Sequence, residues 1–281
     1  MLILVLIKLN NKMYTCEIYL KIELDFMSKI ISNVIGLMDF EPNKMFVFYN
    51  EFKKPKNLIH YHKDYIIDNL SKSELDGGIT SFSLYDVNYT NEKTTPFFRF
   101  KLSDSTLGDE LVSCTFQWIA YQNLDWLIRN EFILNKLLQK GVKLVYLVAY
   151  NQLDVAQETR ESKEDIGFGA KLFNIKNWGR EEIVNGVTFI AAPLMYFGCE
   201  YNKVCSIDEL KNYKKANTIK INDSEIIKIE IFPLYVDAEE YRKEQKDYWK
   251  TLNLEKKIKS YKEVTKIDFT EFLKRRSSLK K

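Results

Sequence analysis

The sequence predicts an α+β fold with mixed or antiparallel sheets, helices packed on one face and a βαβ-like unit at its start. Three stretches lead there. In the first, Tyr14, Cys16, Ile18, Leu20, Ile22 and Leu24 alternate with Thr15, Glu17, Tyr19, Lys21 and Glu23, the period of a strand with one buried face. In the second, Met27, Ile30, Ile31, Val34, Ile35 and Met38 recur at helical spacing after Asp25, a residue suited to an N-cap. The third is VKLVYLVAY, residues 142–150, which is apolar at almost every position. A run of that kind reads as a central strand covered on both sides, and the rest of the chain has to supply the cover.

The remaining elements follow in order. MFVFY (45–49) is a second strand, and 65–70 a helix. Asp76-Gly77-Gly78 is a turn signal ahead of strands at 79–87, 97–102 and 111–119, which can pair as an antiparallel meander. Asn123 opens a helix with Leu127, Ile128, Leu134 and Leu138 on its apolar face, and Gly141 stands where a left-handed C-cap belongs. Residues 187–191 read as a strand, Ser206 with Glu209 as a capping box, and 218–232 as a hairpin turning at Asn222-Asp223. Asp237 with Glu240 starts a helix carrying Tyr241, Tyr248, Trp249 and Leu252, and 269–275 is one more short helix.

At 281 residues, 46% hydrophobic and 29% charged, the chain can bury a substantial core. Five prolines and ten glycines leave no linker-like seam. One domain over 13–250 is therefore expected, with two lobes meeting near 150–185 as the alternative. Residues 1–12 are expected to be a non-native extension before Met13. From Lys250 onward eleven Lys/Arg face four Asp/Glu, so a net +7 sits there against +3 for the chain, leaving about −4 on the rest. Residues 251–281 thus read as a basic tail. Cys16, Cys114, Cys199 and Cys205 form no C-x-x-C pair, which fits a reducing cytoplasm. No segment has the eighteen or so apolar residues that a membrane span needs.

Motifs that carry chemistry mostly fail here. His60 and His62 are the only histidines, at i, i+2, with no further ligand at recognisable spacing. A catalytic triad would have to use one of them. Gly167-Phe168-Gly169 lacks the third glycine and the strand-to-helix setting of a dinucleotide loop, and no P-loop sequence exists. Neither metal nor cofactor is expected. The acidic run Asp154, Glu158, Glu161, Glu164 and Asp165 is interleaved with Arg160 and Lys163, and reads as a solvated face or a partner-binding surface. Tyr196, if exposed near these acids, would make an interface anchor. Lys274-Arg275-Arg276 and Lys280-Lys281 concentrate charge without a recognition motif, so nucleic acid is not the expected partner.

Over residues 14 to about 252 the sequence resembles a loose group of uncharacterised bacterial immunity-type proteins, encoded near polymorphic or contact-delivered toxins. The likeness is one of order and texture: the opening strand and helix, Phe97-Phe98-Arg99-Phe100, Thr115-Phe116-Gln117-Trp118-Ile119, LVYLVAYNQLDVAQE and Phe197-Gly198. The resemblance implies a cytoplasmic, non-catalytic body that occludes the active site of a cognate protein toxin. Asp154, Glu158, Glu161, Glu164, Asp165 and Tyr196 are then the expected partner-binding residues. Two rival readings are a metal-assisted hydrolase using Asp154, Glu158 and His60 or His62, and a protein docking on nucleic acid through its tail.

Overall fold

The computed structural model describes residues 13–23, 26–37, 41–49, 59–70, 79–85, 97–103, 111–121, 130–151, 163–165, 171–173, 183–184, 187–188, 192, 194–231 and 238–264. The strands are β1 (Met13–Glu23), β2 (Lys44–Tyr49), β3 (Ile59–His60), β4 (Ile79–Tyr85), β5 (Phe97–Ser103), β6 (Leu111–Tyr121), β7 (Val142–Asn151), β8 (Lys163–Asp165), β9 (Lys171–Phe173), β10 (Ile183–Val184), β11 (Val187–Thr188), β12 (Leu194–Phe197), β13 (Ala216–Ile221) and β14 (Ser224–Glu230). The helices are α1 (Met27–Ile35), α2 (Lys63–Leu70), α3 (Asn130–Leu137), α4 (Ile207–Lys211), α5 (Ala238–Thr251) and α6 (Leu254–Val264), with a 3-10 turn at Cys199–Lys203.

Among the described residues ten strands form one sheet, ordered β13-β14-β12-β7-β1-β6-β5-β4-β2-β3. Its neighbouring strands pair antiparallel. The fold is α+β, as the three stretches predict, and β7 is interior. β1 and β2 run in the same direction, but β6, β5 and β4 lie between them. The opening strand-helix-strand unit is thus spread across half the sheet.

One face is the expected layer of helices. Cys16, Ile18, Leu20 and Ile22 of β1, with Phe82, Leu84, Phe98 and Phe100, pack against Met27, Ile30 and Val34 of α1, Ile66 of α2, and Ile133, Leu134 and Leu137 of α3. Phe82 stacks on Phe100 at 5.2 Å and tilts against Phe98 at 6.0 Å. Burying each such side chain contributes about 1.5–3 kcal/mol.

The opposite face carries a second layer. Val145, Tyr146, Val148, Met195, Phe197, Ile227 and Ile229 pack beneath the 3-10 turn, α4, α5 and α6. A β-bulge makes this possible on β7, where the pairing with β1 shifts after Tyr19 and both Val145 and Tyr146 join the second core. Leu252, Leu254 and Ile258 are buried in that core. The folded body therefore continues past residue 250, through the first part of the segment read as a basic tail.

Local signals were met in several places and missed in one. Gly141 takes φ +79°, and a Cβ there would stand 2.7 Å from the Phe26 ring, so this turn requires glycine. Asn222 turns the β13–β14 hairpin at φ 52° and donates through Nδ2 to the carbonyls of Asn135 (3.1 Å) and Leu138 at the end of α3. Ser206 stands at the α4 N-cap position, but its side chain makes no capping bond. The Ile207 amide donates instead to Asn202 Oδ1 at 3.1 Å. The predicted caps Asp25 and Asp237, Asn123, and the helix at 269–275 lie outside the described residues.

Candidate functional site

Strand β1 is the seam between two kinds of sheet. Its residues opposite the first core were read as a solvent face, yet Glu17, Tyr19 and Lys21 are 6%, 7% and 8% exposed. Buried charge needs a partner, because removing it from water costs several kcal/mol. Glu17 accepts a 2.5 Å hydrogen bond from the Tyr146 hydroxyl, in the range of a charge-assisted O–H···O contact. Lys21 pairs with Glu200 of the 3-10 turn at 3.4 Å, and Lys143 reaches the other Glu200 oxygen at 3.5 Å. Tyr19, Tyr146, Tyr201 and Phe197 fill the space between as a ring cluster with centroids 4.5–6.3 Å apart. The polar groups that the fold draws together here are bonded to one another across the sheet.

From β1 toward β2 this same face continues as rows of register partners. One runs Glu17-Gln117-Arg99-Ser83-Phe46, and the next runs Tyr19-Thr115-Lys101-Ser81-Phe48. Arg99 and Lys101 are exposed, while Phe46, Ser81 and Tyr85 are half-buried. Arg99 Nε lies 3.5 Å from Ser83 Oγ, which aligns the guanidinium along the sheet. Glu17 and Lys21 alone do not signal the seam, since their alternation with apolar residues is equally that of a strand with one face in solvent.

The predicted site residues fare differently. Asp154, Glu158 and Glu161 lie outside the described residues. Glu164 and Asp165 belong to β8, opposite Leu172 and Lys171 of β9, and Gly167 and Gly169 lie outside the described residues. Tyr196 is not an exposed anchor. It is 1% exposed in the first core, on the face of the sheet that α3 helps to cover. Its hydroxyl lies 3.4 Å from Glu131 Oε1, and Lys228 stands 5.8 Å from its ring centroid. Burial first, then the Glu131 charge, pushes the Tyr196 hydroxyl far above its ordinary pKa of 10.0, which keeps it protonated.

His60 and His62 are exposed at the outermost strand and just beyond it, with His60 Nε2 3.4 Å from Lys44 Nζ. β3 is six strand positions from β7, the strand that leads into Asp154. At ~4.8 Å per strand this is roughly 29 Å. The hydrolase reading needs these two separated strands to border one cleft. Among the described residues no group of three or more His, Cys, Asp or Glu is placed to hold a metal, and no helix is long and apolar enough to cross a membrane.

No protein-family model matches the chain, and comparison with curated proteins gives no match. Among solved structures, the Pseudomonas aeruginosa T6SS protein PA0821 is similar at 14% identity, covering 86% of this chain and 72% of that one, with a TM-score of 0.48.

Proposed function

We propose that the chain is a non-catalytic binding protein of immunity type, which neutralises a cognate bacterial toxin by occluding its active site. The observation that supports this reading is the launch point of the acidic run. β7 lies between β1 and β12, and Asn151 at its end pairs with Tyr14 of β1, so the segment bearing Asp154, Glu158 and Glu161 leaves from the interior of the sheet. Glu164 and Asp165 close the same run in a short hairpin. A charged segment based on a rigid interior strand suits electrostatic docking, which raises association rates and fixes orientation. The buried charges are meanwhile occupied in holding β1, β7 and the 3-10 turn together.

The test is co-purification of the tagged full chain from its native host, with mass spectrometry of stoichiometric partners. A partner that is toxic when expressed alone is the expected result. Glu158→Lys with Glu161→Lys should then weaken that complex at least about tenfold, equivalent to ~1.4 kcal/mol. Unchanged affinity removes the acidic run from the interface.

A further inference from the structure

We infer that the outer edge of β13 is a pairing surface for the β13 of a second copy of this chain, in an antiparallel twofold arrangement that joins the two sheets edge to edge. This inference is independent of the toxin reading. β13 stands at one end of the sheet order, with β14 on its inner side. The hairpin turns on Asn222 and Asp223, between the paired Ile221 and Ser224. A two-residue turn of this kind makes its flanking pair a hydrogen-bonded one, and bonding then alternates along the strand. Ile221, Ile219 and Asn217 therefore bond inward, whereas the backbone groups of Lys220, Thr218 and Ala216 point outward. Ala216 shows this directly, because its N–H bends back to the Tyr213 carbonyl at 2.9 Å. Among the described residues no group bonds to the outward N–H and C=O of Thr218 and Lys220, and both residues are exposed. β13 carries neither proline nor bulge, the devices that blunt an edge.

A second copy satisfies this edge in one register. With the twofold axis at Ile219, Thr218 of each strand faces Lys220 of the other, and every outward group of these two residues is bonded. An axis at Thr218 would set Lys220 against Ala216, whose N–H is already committed to Tyr213. An axis at Lys220 would set like charges directly opposite, which is destabilising. The Ile219 axis also brings the two half-buried Ile219 side chains together in a non-hydrogen-bonded pair, the closer of the two kinds. The ends of the strand are complementary in charge. Lys214 and Lys215 precede it, and the exposed Asp223 follows it without an ion pair among the described residues. Lys214 bonds Asp247 yet remains 60% exposed. An antiparallel copy carries each Asp223 to the other's Lys214-Lys215 turn. An unrelated extended peptide could use the same backbone groups, but a second copy also brings the matching charges and the Ile219 contact.

The experiment is sedimentation velocity on the full chain over a concentration series. The mass is expected to rise with concentration from 33.3 kDa toward twice that value, since a contact along one strand is small and supports a weak dimer. Thr218→Glu sets a carboxylate opposite Lys220 of the copy and should tighten the dimer at least about threefold, whereas Thr218→Lys should weaken it by at least about the same factor. Thr218→Pro removes an outward N–H that β14 does not use and should weaken the dimer at least about tenfold. If Thr218→Pro lowers the melting temperature, the opposed effects of Glu and Lys at the same exposed position decide. In a Cys199→Ser background, Ile219→Cys should cross-link under mild oxidation, because the ~4.5 Å Cα separation of such a pair suits a disulfide. Three results overturn the assignment: a mass of 33.3 kDa at every concentration, which would leave the edge to a different polypeptide; a dimer on which Thr218→Glu and Thr218→Lys do not act in opposite directions; or a dimer that Ile219→Cys fails to cross-link.

Discussion

The two halves of the sheet solve the burial problem differently. On the side of β5, β4 and β2, helices cover one face of the described residues: Phe82, Leu84, Phe98 and Phe100 are inside, and on β5 they alternate with the exposed Arg99 and Lys101, although Ser83 of β4 is buried as well. On the side of β7, β12 and β14, helices cover both faces, and all four residues of β12 are buried. Alternation is what a half-covered strand needs, and continuous hydrophobicity is what a doubly covered strand needs. β1 combines both, because its second face begins the doubly covered region with Glu17 and Lys21 still in place. A charge tolerated on an open face has to be satisfied once a third layer arrives.

The sharpest break of this contrast is Gly198→Ala. A Cβ at Gly198 would lie 2.1 Å from the Leu144 carbonyl oxygen, and backbone has nowhere to retreat inside the doubly covered half. Chemical denaturation should show a loss of about 3 kcal/mol or more, or failure to fold. Next comes Ile258→Ala in α6, buried at 4% exposure. It should cost about 2–4 kcal/mol through the cavity it leaves. A cost near zero would return α6 to the status of a tail.

The smallest effect is a matter of pH. Lys214 donates to Asp247 at 2.7 Å, and the Tyr213 hydroxyl lies 3.4 Å away. Chiefly the Lys214 hydrogen bond holds the Asp247 carboxyl below its ordinary 3.8. A carboxyl depressed in the folded state stabilises above its unfolded pKa, and that contribution is lost as pH falls through the folded value. Melting temperature should therefore fall below about pH 4, and Asp247→Asn should flatten that part of the curve. The Lys214 and Asp247 side chains are 60% and 40% exposed, so solvent screening keeps the change small.

These elements also mark what could be read from residues alone. The period of β1, the apolar run of β7, the Asn222 hairpin and the glycine at 141 are local, and each stood in the sequence. The partner of β1 is not local: Cys16 pairs with Trp118 on one side and Ala149 on the other. No periodicity specifies that order, so the second layer of helices and the burial of Glu17 and Lys21 stayed hidden. The burial of Tyr196 is hidden for the same reason, since it depends on α3, which is distant in sequence. Leu254 and Ile258 show the i, i+4 spacing of a packed helix, but the lysines around them made the segment look like a solvated tail. The acidic run was conspicuous in sequence, whereas the pairing of Arg99 with Ser83 emerges only when β4 and β5 are placed side by side.

The position of β1 also bears on the order of events during synthesis. Its ladder partners begin at Leu111 and Val142, so at ~5–20 residues per second it waits on the order of ten seconds with both edges unpaired. An edge left open for that time is a site for pairing with another chain. Closing the sheet is thus a late, long-range step in the life of the protein, and crowding on a polysome is where mispairing would begin.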